Sequence, residues 1–422
     1  MKSIMNINRA VRKYIFDDSL TARHMVFLAG PRQVGKTYLS KAWLKTKKCD
    51  KLYFNWDDVQ TRQLYMSDSR FFESEARISG IKDPWIVFDE IHKRNKWRDI
   101  LKGTYDVFAD EFRFLITGSA RLDLFRKAGD SLVGRYNLFN MMPLNIREVA
   151  GNPLLGSFLS IQEEREMIKV FDDLISEPMP DENAQAFNSL LKLGPFPEPF
   201  LRQNERFCRK WHMDYIGLLV RDDLRDISRV VELDKIEHLV NLLPKRITSP
   251  LSMANLANEL EVAHTTIKQW LELLKRLYLI FPVKPWSKKV SRGLKKEKKW
   301  YFLDWYYASE EAARLENMVA TCLYRSCKVL SDQGYGDFQL KYIRTLDKRE
   351  IDFVICRNNK PIVAIEVKKS DTSVSKQLVN REKWLPDYST IGVQLVNQRD
   401  ILKKIDNHTW VMSVERMLGL LE

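Results

Sequence analysis

Cysteine is scarce in this chain. Five thiols (Cys49, Cys208, Cys322, Cys327, Cys356) are scattered over 422 residues without a CxxC pair, and none of the six histidines lies near them at zinc spacing. That excludes a disulfide framework or a finger-type zinc site and fits a reducing compartment. No apolar run reaches the roughly 18 residues that cross a bilayer. The opening MKSIMNINRAVRKYIFDD carries bases but lacks the apolar stretch and small-residue cleavage site of a signal peptide. A cytoplasmic protein with no membrane partner is therefore expected. Internal repeats and low-complexity tracts are missing too. At this length a single core is outgrown, so two or three domains are expected.

What is abundant is positive charge. Lys and Arg number 69 against 56 Asp and Glu, a net of +13. Eight bases (Lys284, Lys288, Lys289, Arg292, Lys295, Lys296, Lys298, Lys299) crowd one stretch that holds a single acid, Glu297. Such a run either stays a solvated loop or meets a polyanion by releasing its condensed counterions.

Up to about residue 150, short apolar runs alternate with helical patterns, which predicts an α/β domain with a parallel sheet and crossover helices. HMVFLAG (24–30), KLYFNW (51–56), WIVFDE (85–90) and FRFLITGS (112–119) read as its buried strands. Ligands in such sheets bind at the carboxyl ends of strands. There lies Gly30-Pro31-Arg32-Gln33-Val34-Gly35-Lys36-Thr37, a GxxxxGK[ST] loop between a strand and a helix. Its glycines let main-chain N–H groups and the helix N-terminus wrap a phosphate. Lys36 can reach the β- and γ-phosphates of ATP, and the Thr37 hydroxyl can ligate Mg. Asp89, ending an apolar strand, would hold Mg through water, and Glu90 would polarise the attacking water. Thr117, ending the next strand, either senses the γ-phosphate or caps a helix.

GPRQVGKT, IVFDEIHK, LITGSARLDLF, SLVGRYNLF and PLNIREV together resemble the ATPase domain of a prokaryotic AAA-type group, the archaeal ATPases and the signalling NTPases near them. The resemblance spans roughly 8–150 and implies ATP and Mg as ligands. It also implies a role for Arg135, which matches the group's recurrent arginine. That arginine either completes a neighbouring subunit's site, which leaves room for a homo-oligomer, or pairs within its own domain.

Residues 151–247 turn helical. Within 248–304, MANLANEL, the turn Glu261-Val262-Ala263 and a second helix burying Ile267, Trp270, Leu271, Leu274 and Leu277 read as a helix-turn-helix. Its polar face presents Thr266, Lys268, Gln269 and Lys275, suited to phosphates and base edges. The basic run sits where a winged helix places its wing, so Lys288, Lys289, Arg292, Lys295 and Lys296 join the expected DNA contacts. A winged helix can equally serve as a protein-binding or lid module.

From 305 to 422 strands return. REIDFVI, the turn RNNK and IVAIEVK predict a hairpin on which Glu366 and Lys368 point one way while Val367 is buried. Asp352 lies on the paired strand. Glu316, on the preceding helix, could supply a further carboxylate. Glu316, Asp352 and Glu366 could hold Mg, and Lys368 could orient a water. Helix glutamate, strand aspartate and ExK on the next strand resemble the PD-(D/E)XK nuclease superfamily over about 312–415, some of whose members keep the fold without cleavage. An incidental Glu366–Lys368 salt bridge is the plain alternative. The whole chain thus reads as an ATPase (1–150), a helical linker (151–247), a winged helix (248–304) and a nuclease-like α/β domain (305–422). Two functions stay open: ATP hydrolysis coupled to DNA binding, with or without cleavage, or a nucleotide-dependent switch with an inactive C-terminal domain.

Overall fold

The computed structural model describes residues 7–21, 23–118, 132–152, 157–224, 232–287, 297–345, 349–385 and 390–422. It divides into two compact units, one of Arg9–Met142 with Arg276–Tyr278, the other of the remaining residues.

In the first unit five strands form one sheet in the order β2-β3-β4-β1-β5. They are β1 (Met25–Ala29), β2 (Tyr53–Asn55), β3 (Trp85–Asp89), β4 (Arg113–Thr117) and β5 (Tyr136–Asn140). Every neighbouring pair is parallel. β1 and β3 are buried along their whole length, as continuous apolar runs in a sheet covered on both faces must be. Each fully buried Val, Phe or Leu contributes about 1.5–3 kcal/mol. All four strands expected in this region form, each within the stretch named. β5 is additional, and its YNLFN run is only partly buried.

β4 lies between β1 and β3, so a connection must cross over it. The carboxyl ends of β1, β3 and β4 consequently line up, with Asp89 beside Thr117 and the Gly30 turn leaving from the end of β1. The sheet order thus brings together groups that stand some 30 to 90 residues apart in sequence.

The second unit begins with helices, among them Glu164–Ser176, Asp181–Leu193 and Glu205–Gly217. Helices Met253–Glu259 and His264–Arg276 follow, joined through Glu261 at a φ of 51°. Next come β6 (Ile280–Pro285) and β7 (Lys299–Phe302), an antiparallel pair. β8 (Phe338–Arg344), β9 (Glu350–Arg357), β10 (Lys360–Lys368), β11 (Ile391–Val396), β12 (Leu402–Asp406) and β13 (Thr409–Ser413) complete an eight-stranded sheet. Its order is β12-β13-β11-β10-β9-β8-β6-β7. The strands at the expected wing position thus continue the C-terminal sheet, because Lys284 and Pro285 of β6 pair in parallel with Lys341 and Tyr342 of β8.

The 22-residue helix Glu311–Asp332 packs on this sheet through Leu315, Met318, Val319, Cys322, Leu323, Cys327 and Leu330, a stripe at helical spacing. Asn317 fixes its register. Its side chain accepts from Phe302 N (3.0 Å) and donates to Phe302 O (2.6 Å), clamping the helix to β7. Among the described residues no helix is long and apolar enough to cross a membrane.

Candidate functional sites

The phosphate loop is shaped by its backbone. Gly30 has φ 148°, and a Cβ there would lie 2.4 Å from the Met141 carbonyl oxygen, so only glycine lets the chain pass. Gly35, at φ 104°, precedes the helix Lys36–Thr46. Gln33 is also left-handed, at φ 58°. The buried Lys36 ammonium donates to Gly30 O (2.9 Å) and Pro31 O (2.7 Å), holding it over the loop. Val34 is buried and its carbonyl accepts from Arg9 at 2.7 Å. Arg9 also donates to Met142 O, so this buried guanidinium braces the loop from beneath.

Asp89 is 3% exposed and is met by three hydroxyls. Thr37 donates to Oδ2 at 2.8 Å, Tyr53 donates to the same oxygen at 2.5 Å, and Thr117 donates to Oδ1. Burial and the Asp89 carboxylate raise the Tyr53 pKa far above the usual phenol value, so Tyr53 stays a donor. Glu90 occupies the left-handed region at φ 58°, a conformation a non-glycine residue holds only when its surroundings fix it. Its N–H donates to Thr117 O at 3.0 Å, and its carboxylate lies 3.3 Å from His92 Nε2. Burial raises the Glu90 pKa and Lys36 opposes the rise. A carboxyl shifted toward neutrality suits a base that must accept a proton.

Lys36, Thr37, Asp89, Glu90 and Thr117 therefore cluster at one end of the sheet. The loop's glycine turn, its helix N-terminus and the Thr37–Asp89 pair fit a Mg-bound triphosphate. Arg135 is not among them. Its carbonyl accepts from Met25 N at the start of β1, while the loop follows the end of β1. Five residues of strand, about 17 Å, separate the two. Its guanidinium instead pairs with Asp106 at 2.7 Å.

Along helix His264–Arg276, Ile267, Trp270, Leu271 and Leu274 are buried, as is Leu277 just beyond it. Lys268, Gln269 and Lys275 are exposed and Thr266 half-buried. Lys298 ties this face to the strands. Burial lowers its pKa, Lys284, Lys275 and Lys268 push it further down, and Glu272 opposes them. Lys298, just before β7, thus feels the ammonium groups of Lys268 and Lys275 on the helix and of Lys284 on β6, with Glu272 lying 3.8 Å from it and 3.3 Å from Lys275. Lys288, Lys289, Arg292, Lys295 and Lys296 lie outside the described residues.

The third cluster lies in the C-terminal sheet. Lys368 Nζ and Glu366 Oε1 are 2.8 Å apart, and Val367 N donates to Asp352 Oδ2 at 2.9 Å. Here the expected burial is reversed. Glu366 is 6% exposed, whereas Val367 is half-buried. Lys368 on the same side of β10 is half-exposed, while Glu366 itself faces other charged groups rather than water. Chief among these is Lys299, 1% exposed on β7. Its ammonium pairs with Glu350 and lies 3.8 Å from Glu316 and 3.9 Å from Asp352. Tyr301, two residues on along the same face, donates to Glu316 at 2.8 Å. Burial pulls the Lys299 pKa down, but Glu316, Asp352 and Glu350 outweigh it and the net shift is upward. Burial and Asp352 push Glu366 up to about 7. Burial, then Asp352, push Glu316 up to about 8. Among the described residues no group of three or more His, Cys, Asp or Glu side chains is arranged to hold a metal ion. Asp352 lies close enough to both Glu316 and Glu366 to raise their pKa values, while Glu316 is turned to Lys299 and Tyr301.

Arg9, Tyr53, His92, Lys299, Tyr301 and Glu350 belong to these clusters without having stood out in the sequence. Only His92 and Lys299 had a local signal, the first beside the acidic pair and the second at the end of the basic run.

Consistent with this geometry, residues 22–150 match the family described as AAA domain. The sheet and loop accordingly define an AAA-type P-loop domain. Residues 184–305 and 312–417 match two families described as domains of unknown function, DUF8612 and DUF4143. Uncharacterized protein MJ1544 of Methanocaldococcus jannaschii is 24% identical over 381 residues, covering 87% of this chain and 80% of its own. Uncharacterized protein MJ1637 of the same organism is 25% identical over 407 residues, covering 88% and 81%. Among solved structures, the Aeropyrum pernix ORC1 protein in complex with DNA aligns at 12% identity over 70% of this chain and 86% of that one, with a TM-score of 0.31. Replication initiator DnaA bound to AMPPCP and single-stranded DNA aligns at 16% over 63% and 86%, with a TM-score of 0.29.

Proposed function

We propose that the protein binds ATP with Mg in the loop 30–37, hydrolyses it, and couples the nucleotide state to DNA binding. The observation that carries this reading is the meeting of Thr37 and Asp89, 2.8 Å apart, beside the Lys36 loop and the strained Glu90. Lys36 and the loop N–H groups bind the phosphates. Thr37 and Asp89 would hold Mg, which when bound neutralises charge on the transferring phosphoryl group. Glu90 orients the attacking water and accepts its proton, with His92 steering the carboxylate. Thr117 keeps Asp89 in place. Arg135, distant from its own chain's loop, is available to a neighbouring copy's phosphates once released from Asp106.

The proposed DNA surface rests on Thr266, Lys268 and Gln269, with Lys275, Lys284 and Lys298 beside them, and Lys288, Lys289, Arg292, Lys295 and Lys296, outside the described residues, are proposed as contacts from the sequence alone. Mutually repelling ammonium groups held close are stabilised when a polyanion neutralises them.

Two assays on the full chain test both halves. Glu90→Gln is expected to keep Mg–ATP binding while turnover falls about a hundredfold or more. Wild type without affinity for Mg–ATP, or Glu90→Gln with unchanged turnover, sinks the enzymatic half. Exchanging Lys268, Lys275, Lys284 and Lys298 for Gln is expected to weaken duplex binding and flatten its dependence on salt, by up to about one unit of log–log slope for each DNA phosphate no longer neutralised. An unchanged slope sinks the DNA half.

A further inference from the structure

We propose that Lys299 is the resident cation of the C-terminal acidic cluster, so that this site takes up no divalent ion and grips its ligand without metal-dependent cleavage. The inference rests on the nuclease-like reading of the C-terminal sheet, and it departs from what that likeness implies.

Position comes first. A divalent cation that served Glu316 and Asp352 together would have to approach both, and the Lys299 ammonium already lies 3.8 Å from one and 3.9 Å from the other. The lysine does not lie there by chance of rotamer. It is 1% exposed, and its strand is fixed by the Asn317 clamp, so the side chain cannot swing to water without opening the sheet edge. Alternation along β7 then puts Tyr301 on the same face, where its hydroxyl occupies Glu316.

Charge points the same way. Four carboxyl groups (Glu316, Glu350, Asp352, Glu366) meet three cations (Lys299, Arg344, Lys368), so the cluster carries at most one net negative charge, and less while Glu316 and Glu366 are held toward their neutral forms. A divalent ion would overshoot neutrality in a buried site unless the ammonium left. Removing one partner of a buried ion pair is what costs most, so the ammonium stays. Glu366 Oε2, whose companion oxygen accepts from the Lys368 ammonium, is buried without a hydrogen-bond partner among the described residues. It is left for a donor on a bound ligand, beside the Lys368 ammonium.

The test is a titration with Mn²⁺ alone, followed by the loss of its free electron-spin resonance signal, without nucleotide. The full chain carries Asp89→Asn in every sample, so that the phosphate site contributes nothing. The chain with Lys299 intact and its Asp352→Asn derivative are expected to titrate alike. Lys299→Met is expected to gain a site that binds Mn²⁺ at least tenfold tighter. A saturable site with Lys299 intact that Asp352→Asn abolishes overturns the proposal, whether or not Lys299→Met folds. A folded Lys299→Met chain that gains no site overturns it as well. Because the readout is metal binding, failure here leaves the ATPase and DNA measurements untouched.

Discussion

Asp89 and Asp352 are both carboxylates on strands within their sheets, yet their surroundings differ in kind. Asp89 is met by three neutral hydroxyls, those of Thr37, Tyr53 and Thr117. Asp352 faces the buried ammonium of Lys299 and accepts the Val367 N–H. Hydroxyls hold a carboxylate in place while leaving its charge for a cation to come, and each can rotate its proton away when one arrives. An ammonium cancels that charge permanently. The first arrangement suits the metal–nucleotide complex proposed for it, and in the second the counter-ion is built in. A carboxylate cluster therefore says little about metal until the nearest cation has been located.

The comparison breaks most sharply on two lysines. Lys36→Ala is expected to lower ATP turnover at least about a hundredfold, the scale for losing a preorganised charge at a transferring phosphoryl group, while thermal stability barely moves. Lys299→Ala is expected to leave turnover within about twofold of wild type but to destabilise the second unit by about 3–5 kcal/mol, since three acids lose a buried partner. Steady-state ATPase rates and calorimetric unfolding of the same two variants decide it. Equal effects on both readouts would mean the two sites do not differ as described.

How far each site was legible follows from how local its signal is. Eight contiguous residues make the phosphate loop, and Asp89 and Glu90 end an apolar run, so both could be read without knowing the fold. The helix pair at 253–276 declared itself by apolar spacing and an intervening turn. Lys299 did not. It closes a run of bases in sequence, and only the crossover that joins β6 to β8 carries its strand to the sheet edge beside Glu316, Glu350 and Asp352. The pattern also misjudged Glu366 and Val367, since alternation on a central strand assigns the apolar residue to the interior. Here both sides of β10 are buried along most of its length, and Glu366 lies under ion pairs from β7, β9 and the helix. Tyr53 and Arg9 escaped for the same reason, as each reaches its site from an element whose own sequence has no motif.

A smaller effect concerns pH. The folded pKa of Glu366 lies near 7, above the 4.5 of an ordinary Glu, so the folded state favours its protonated form. The stability this adds is complete below about pH 4.5 and is lost as pH rises through 7, by at most about 3 kcal/mol. Glu366→Gln, which cannot ionise, is expected to flatten the fall of the second unit's unfolding temperature between pH 4.5 and 7. The first unit's transition should be unaffected, because Glu366 lies outside it. If wild type and variant run parallel across that window, the carboxyl is not held as described.

The finest distinction falls on two tyrosines with matching roles. Tyr53 donates to Asp89 and Tyr301 to Glu316, each a phenol hydroxyl on a carboxylate. At the phosphate site the phenol would compete with a water on the proposed Mg for Asp89 Oδ2, so Tyr53→Phe should make that oxygen a better acceptor. The Mg midpoint of ATP turnover is expected to move to lower concentration, within about tenfold for one hydrogen bond of roughly 1 kcal/mol, with the maximal rate changed less. Tyr301→Phe should leave that midpoint where it is and cost only stability, because Glu316 answers to Lys299 and no incoming ion competes there. A Mg titration of both variants separates the cases. An unchanged or raised midpoint in Tyr53→Phe would show that the phenol serves to aim Asp89 rather than to hold its charge in reserve.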